Sequence, residues 1–116
     1  MGQPVVHWEI AANDAAKIQS FYSSLFNWKV DTGGPMNYGM VSTADSGVGG
    51  GIYKPTDPKT PRLTFYVQVD DLQAYQDKAV KLGGKALVPP TPIPGIGSFA
   101  MFADPEGTVI GLFKPN

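Results

Sequence analysis

Apolar and polar residues alternate along residues 5–11 and again along residues 63–69, which is the pattern of a strand with two different faces. In the first strand Trp8 and Ile10 fall on one face, which we expect to pack on a helix, and His7 and Glu9 fall on the other. Each strand is followed by apolar residues spaced three or four positions apart, as in an amphipathic helix. The two helical stripes are Ala15, Ile18, Tyr22 and Leu25, and then Leu72, Tyr75, Ala79 and Leu82.

The two stripes belong to an internal repeat. Every residue of the second stripe lies 57 positions after its counterpart in the first. Side chains that can cap a helix N-terminus precede both stripes, namely Asn13 and Asp14, and Asp70 and Asp71. Residues 51–55 and 111–115 also match closely. A stripe, a cap and a strand end that recur together favour duplication over coincidence.

The remaining apolar runs predict three short strands after each helix. They lie at residues 28–31, 38–42 and 50–54, and at residues 85–88, 98–102 and 109–114. The Pro-rich residues 88–97 between two of them have the composition of a loop. The chain is therefore predicted to be a single α+β domain of two tandem βαβββ modules, residues 1–56 and 61–116, joined by a linker at residues 56–60. We expect their strands to form a curved mixed sheet around a cleft that admits a small ligand.

Composition narrows the possible functions. Nine Lys and Arg against ten Asp and Glu give a net charge of −1, so nothing indicates binding to nucleic acid or to a membrane surface. The absence of cysteine excludes disulfides, thiolate nucleophiles and cysteine-ligated metals. No apolar run is long enough to span a bilayer, and the first residues do not have the pattern of a signal peptide. We expect a cytoplasmic protein.

His7 and Glu9 are the candidate catalytic residues. They lie two positions apart on one strand face, and His7 is the only histidine of the chain. An imidazole beside a carboxylate can transfer protons in an enolisation or an isomerisation. The alternative is that both side chains make hydrogen bonds in a polar cleft floor, with each other or with Thr64 or Tyr66.

Three segments resemble the vicinal oxygen chelate superfamily, which includes glyoxalase I, bleomycin-resistance proteins and extradiol dioxygenases. These segments are residues 5–14, residues 21–28 and residues 102–112, the last reading FADPEGTVIGL. The resemblance extends over nearly the whole chain and implies the same paired βαβββ modules. It also implies a homodimer. Because the superfamily includes several chemistries, the resemblance does not choose among them.

The resemblance further implies where a metal would bind. Metal-dependent members place ligands on the first and last strands of each module, at positions that match His7, Gly51, Thr64 and Gly111 here. A divalent metal needs several convergent oxygen or nitrogen donors, and two glycines provide none. We therefore expect no cofactor and no tightly bound metal, the alternative being a weakly held divalent ion at His7 and Glu9.

The same strand faces contain the candidate ligand-binding residues. These are Tyr53, Thr64, Tyr66, Gln68 and Phe113. Aromatic rings can stack on a planar ligand while hydroxyl and amide groups orient it. Alternatively, the rings fill space between the sheets.

Two function hypotheses follow. The first is a protein of the glyoxalase and bleomycin-resistance type that binds a small organic molecule at a degenerate metal site. The second is a metal-dependent glyoxalase-like lyase or isomerase, or a dioxygenase relative, that uses His7 and Glu9. The sequence leaves open whether the protein is an enzyme.

Overall fold

The computed structural model describes residues 2–33, 38–43 and 47–116. Its elements in chain order are β1 (Val5–Ala11), α1 (Ala15–Phe26), β2 (Lys29–Asp31), β3 (Gly39–Ser42), β4 (Gly50–Tyr53), β5 (Leu63–Gln68), α2 (Leu72–Lys81), β6 (Lys85–Ile93), β7 (Gly97–Ala103) and β8 (Val109–Pro115). Residues 7–64 form a first compact unit, and residues 2–6 with residues 65–116 form a second.

The first unit has the strand order β2-β3-β4-β1. β1 and β4 run parallel, with Glu9 opposite Gly51, and the other two pairings are antiparallel. α1 is fixed to the sheet by Gln19, whose amide donates a hydrogen bond of 2.8 Å to the carbonyl oxygen of Ile52. The Ile52 side chain is fully buried. The unit is thus a mixed four-stranded sheet with one helix.

The second unit repeats this arrangement, with the strand order β5-β8-β7-β6. β5 and β8 run parallel, with Tyr66 opposite Gly111, and the other two pairings are antiparallel. Its buried core consists of Val69, Leu72, Ala100 and Leu112. The α+β fold of two βαβββ modules that the sequence predicts is therefore confirmed.

The predicted helix caps are also present. An Asp14 Oδ1 oxygen accepts a hydrogen bond of 3.1 Å from the backbone N–H of Lys17 at the start of α1. Asp71, 57 positions later, accepts one of 3.0 Å from the N–H of Ala74 at the start of α2. Each carboxylate satisfies a backbone donor that has no partner within the helix.

The Pro-rich segment corrects one prediction. Residues 88–93 belong to β6 rather than to a loop, although the pairing of β6 with β7 is irregular between Ala86 and Val88 and between Val88 and Thr91. β6 is the last strand in the order of its unit. Proline lacks an N–H donor, so a strand with several prolines is tolerated at such an edge position.

The helical stripes need a second correction. Leu25 and Leu82, which end the two predicted apolar stripes, are 58% and 71% exposed. The side chains that α1 and α2 bury include Gln19 and Gln76, again 57 positions apart. Gln76 donates hydrogen bonds to the carbonyl oxygens of Val88 and Met101 at 2.8 and 2.9 Å. A polar side chain can be buried in this way because its amide is hydrogen-bonded.

Candidate functional site

The alternation of β1 separates an aromatic face from a polar one. The Trp8 ring lies 5.1 Å from that of Trp28, which lies 5.7 Å from Tyr22 of α1. Trp8 therefore faces the helix, as predicted. His7 and Glu9 point to the opposite face of the sheet, since successive strand residues alternate between faces.

Tyr38 connects His7 to Glu9 on this polar face. Its hydroxyl lies 2.8 Å from His7 Nε2 and donates a hydrogen bond of 2.8 Å to Glu9 Oε2. His7 Nε2 and Glu9 Oε2 are 3.9 Å apart. A phenol has one proton, so the oxygen that donates to Glu9 must accept from His7, which requires a proton on Nε2. We call these three side chains the His7–Tyr38–Glu9 network.

The Tyr38 ring also covers Gly51. A Cβ atom built on Gly51 would overlap the hydroxyl oxygen and ring carbons of Tyr38. Gly51 lies directly opposite Glu9 in the register of β4 and β1. The phenol therefore fills the space that any side chain at position 51 would have to enter.

Burial and charge change the ionisation of two groups on this face. Burial lowers the pKa of His7 from its ordinary 6.5, and the negative charge of Glu9 opposes this only in part. Burial and the charge of Glu9 together raise the pKa of Tyr53 to about 12. Both side chains are therefore uncharged at neutral pH.

We expect His7 to make the stability of the protein depend on pH. Because its pKa is lower in the folded state, the unfolded chain binds a proton that the folded chain does not, as the pH falls below about 6.5. The free energy of unfolding of the wild type, measured by urea denaturation relative to His7→Gln, should therefore decrease from pH 7.5 towards the lowered pKa. The opposite slope would mean that attraction to Glu9 outweighs burial.

The predicted ligand-binding residues fall into two groups. Tyr53 joins the His7–Tyr38–Glu9 network, since its ring lies 5.4 Å from that of Tyr38. Tyr66, Gln68 and Phe113 lie on one face of the second unit's sheet, because Tyr66 pairs with Gly111 and Gln68 with Phe113. Thr64 and Tyr66 are buried.

The second unit repeats the arrangement of a tyrosine over a glycine. A Cβ atom on Gly111 would overlap the ring of Tyr66. Gly51 and Gly111 are the two last-strand positions that matched metal ligands in the resemblance, and each is covered by a tyrosine ring. The described residues contain no group of three or more His, Cys, Asp or Glu side chains placed to hold a metal ion.

Sequence reasoning missed Tyr38 as a site residue. It lies just before β3, which pairs with β4 rather than with β1, and 31 positions after His7. Its place on the polar face depends on strand register, which alternation alone does not give. The sequence did contain one indication of a side chain packed at this place, the glycine at position 51. A glycine within a strand often marks a place where other atoms approach the backbone closely.

Comparison with known proteins identifies the family. The family model described as the Glyoxalase/Bleomycin resistance protein/Dioxygenase superfamily matches residues 5–112. The chain belongs to this superfamily. None of the helices in the described part of the chain is long and apolar enough to span a membrane.

Individual members of the superfamily show similarity of different extents. A Mycobacterium bovis protein that bears the name glyoxylase is 34% identical over 79 residues, which cover 68% of this chain and 30% of that protein. A glyoxylase-like domain-containing protein of Didymella fabae is 32% identical over 110 residues, covering 85% of this chain and 84% of that one. The chain thus spans under a third of the mycobacterial relative.

One solved structure has a similar fold. It is that of a glyoxalase/bleomycin resistance protein/dioxygenase superfamily member from Vibrio splendidus. Its TM-score is 0.68 at 16% sequence identity, with 97% of this chain and 99% of that chain covered. At this identity the likeness supports the fold and does not extend to the activity.

Proposed function

We propose that this protein binds a small organic molecule on the polar face of the first unit's sheet, and that it does so without a tightly held metal ion. The residues assigned to binding are His7, Glu9, Tyr38 and Tyr53. Their rings offer apolar area for stacking, and the imidazole, carboxylate and hydroxyl groups offer polar contacts that orient a ligand. The closest functional parallel is with bleomycin-resistance proteins of this superfamily, which bind a small molecule without catalysing a reaction.

The observation that supports this proposal best is the position of Tyr38. Its hydroxyl lies within hydrogen-bond distance of both His7 and Glu9, and its ring lies over Gly51. Tyr38 connects the single imidazole of the chain to the Glu9 carboxylate, and so it occupies the groups that an ion would need. We infer that the phenol has replaced the metal as the centre of this face.

The side chains at the predicted metal-ligand positions also argue against a tightly held ion. Of the four positions that the resemblance assigns to metal ligands, His7 offers a nitrogen, Thr64 offers a neutral hydroxyl in place of the usual histidine, and Gly51 and Gly111 offer no side-chain donor. Divalent transition-metal ions bind to several convergent nitrogen, carboxylate or thiolate ligands. These residues do not fit such an ion.

The second candidate function is metal-assisted chemistry of the glyoxalase, isomerase or dioxygenase type. The 3.9 Å separation of His7 Nε2 and Glu9 Oε2 favours it, because both could contact one ion if Tyr38 moved away. Under either hypothesis the homodimer and the cytoplasmic location implied by the resemblance and the composition are part of the proposal.

Ligand binding with and without a chelator distinguishes the two functions. The probes are bleomycin, catechol, and the hemithioacetal of methylglyoxal and glutathione, measured by calorimetry in EDTA and in added Zn²⁺, Ni²⁺ or Mn²⁺. We expect at least one probe to bind without turnover and with the same affinity in EDTA. Loss of all binding in EDTA, or turnover on adding metal, would favour the second function.

Tyr38→Phe provides the matched test of the site. It removes the hydroxyl while keeping the ring over Gly51, and we expect it to weaken binding of the positive probe by about 10-fold, because His7 and Glu9 lose the hydrogen bonds that hold them in place. Tyr22→Phe, on the helix side of the sheet, should leave the affinity unchanged. Equal effects of the two variants would contradict the assigned site.

A further inference from the structure

We propose that the polar face selects an organic cation, such as an aromatic amidinium or ammonium, over an anion of the same shape. This inference rests on the proposed function, since it assumes that the face binds an organic molecule. It adds the charge of the ligand to that proposal.

The direction of the hydrogen bonds gives the first argument. Tyr38 donates to Glu9, so His7 donates to Tyr38, and both dipoles point from the imidazole towards the carboxylate. The negative end of the network is therefore Glu9, whose side chain is 17% exposed. Hydrogen-bond donors and positive charge are attracted to this end, whereas an anion is repelled.

The flanking rings give the second argument. Tyr38 and Tyr53 lie with their centroids 5.4 Å apart and their planes tilted by 31°, beside Glu9. Tyrosine faces attract cations by their quadrupole, and a carboxylate among aromatic faces is a common way to bind an organic ammonium group.

The other charged side chains of this face leave Glu9 as the deciding charge. His7 Nε2 is directed at the Tyr38 hydroxyl, 2.8 Å away. The strand registers place Asp31, Met40, Gly51 and Glu9 in one row across the sheet, which adds a second carboxylate at the edge. Lys29 is two positions before Asp31 and therefore lies on the same face, opposite Ser42, so the two charges of this edge strand offset each other and the selectivity depends on Glu9.

Three probes of one shape test the proposal: benzamidinium, neutral benzamide and benzoate. Each is titrated into the wild-type protein while the NMR signals of the single imidazole, His7, are followed. We expect benzamidinium to bind at least about 10-fold more tightly than benzoate, with benzamide between them. Raising the salt to about 0.5 M should weaken benzamidinium binding and leave benzamide unaffected.

Two glutamine variants assign the selectivity to one carboxylate. Glu9→Gln should remove the preference for benzamidinium, whereas Glu106→Gln, which removes the same charge from an exposed turn, should retain it. If Glu9→Gln does not fold, the salt dependence in the wild-type protein still tests whether the face attracts a cation.

The outcomes separate the two proposals. Benzoate binding as tightly as benzamidinium, or a preference retained in Glu9→Gln, would overturn the choice of a cation and leave small-molecule binding intact. If none of the three probes shifts the His7 signals, this inference is wrong and the proposed binding face loses its support as well.

Discussion

Replacing Gly51 by alanine is expected to lower the free energy of unfolding by about 1–3 kcal/mol, the usual cost of overpacking a filled site. The added methyl group would overlap the hydroxyl and ring of Tyr38, which must then move away. That movement breaks the bonds to His7 and Glu9. Urea denaturation measures the loss, and the same variant should lose affinity for any ligand of this face.

A double-mutant cycle shows whether the loss comes from Tyr38. Tyr38→Ala removes the overlapping atoms, so Tyr38→Ala with Gly51→Ala should be more stable than the sum of the single changes predicts, by about 1 kcal/mol. Gly2→Ala is the control, because no atom lies within 4 Å of its added Cβ. Additive effects at positions 38 and 51 would mean that the two residues are independent.

Replacing Gln76 by alanine is expected to cost about 2–4 kcal/mol, because it leaves two carbonyl oxygens without their donor and opens a cavity. Gln76 is 3% exposed, and its amide joins α2 to Val88 of β6 and Met101 of β7. Val88 lies where the pairing of β6 with β7 is irregular, and the side-chain amide of Gln76 bonds to its carbonyl there. Urea denaturation gives the change.

Gln73→Ala is the matched control on the same helix. Gln73 is exposed and bonds to Asp77 one turn away, so its loss should change the free energy of unfolding by less than about 0.5 kcal/mol. Equal costs at positions 73 and 76 would show that the buried amide contributes only helix propensity.

The sequence predicts the elements well because their signals are local. Alternation along residues 5–11 places His7 and Trp8 on opposite faces, and Asp14 and Asp71 mark the helix starts by their capping oxygens. The repeat at an offset of 57 turns two weak patterns into one strong prediction of paired modules.

The features that sequence reasoning misses are those that depend on contacts between distant residues. The buried Gln19 and Gln76 repeat at the same offset of 57. The sequence of a helix does not show, however, that a glutamine in it will donate a hydrogen bond to a backbone carbonyl of a distant strand. The prolines of β6 predicted a loop. They are tolerated in a strand because β6 lies at the edge of the sheet, and only the strand order shows this position. Tyr38 was missed for the same reason, because register brings it to His7 and Glu9.

The most direct test of the central claim is paramagnetic NMR of the metal-stripped, tag-free protein with manganese. Mn²⁺ broadens the signals of any nucleus close to its binding site, and the imidazole of the single histidine is the reporter. If Tyr38 has taken the place of an ion, one equivalent of Mn²⁺ should leave the His7 signals sharp and unshifted. Selective broadening of those signals at equimolar metal would contradict it and restore a metal centre to this face.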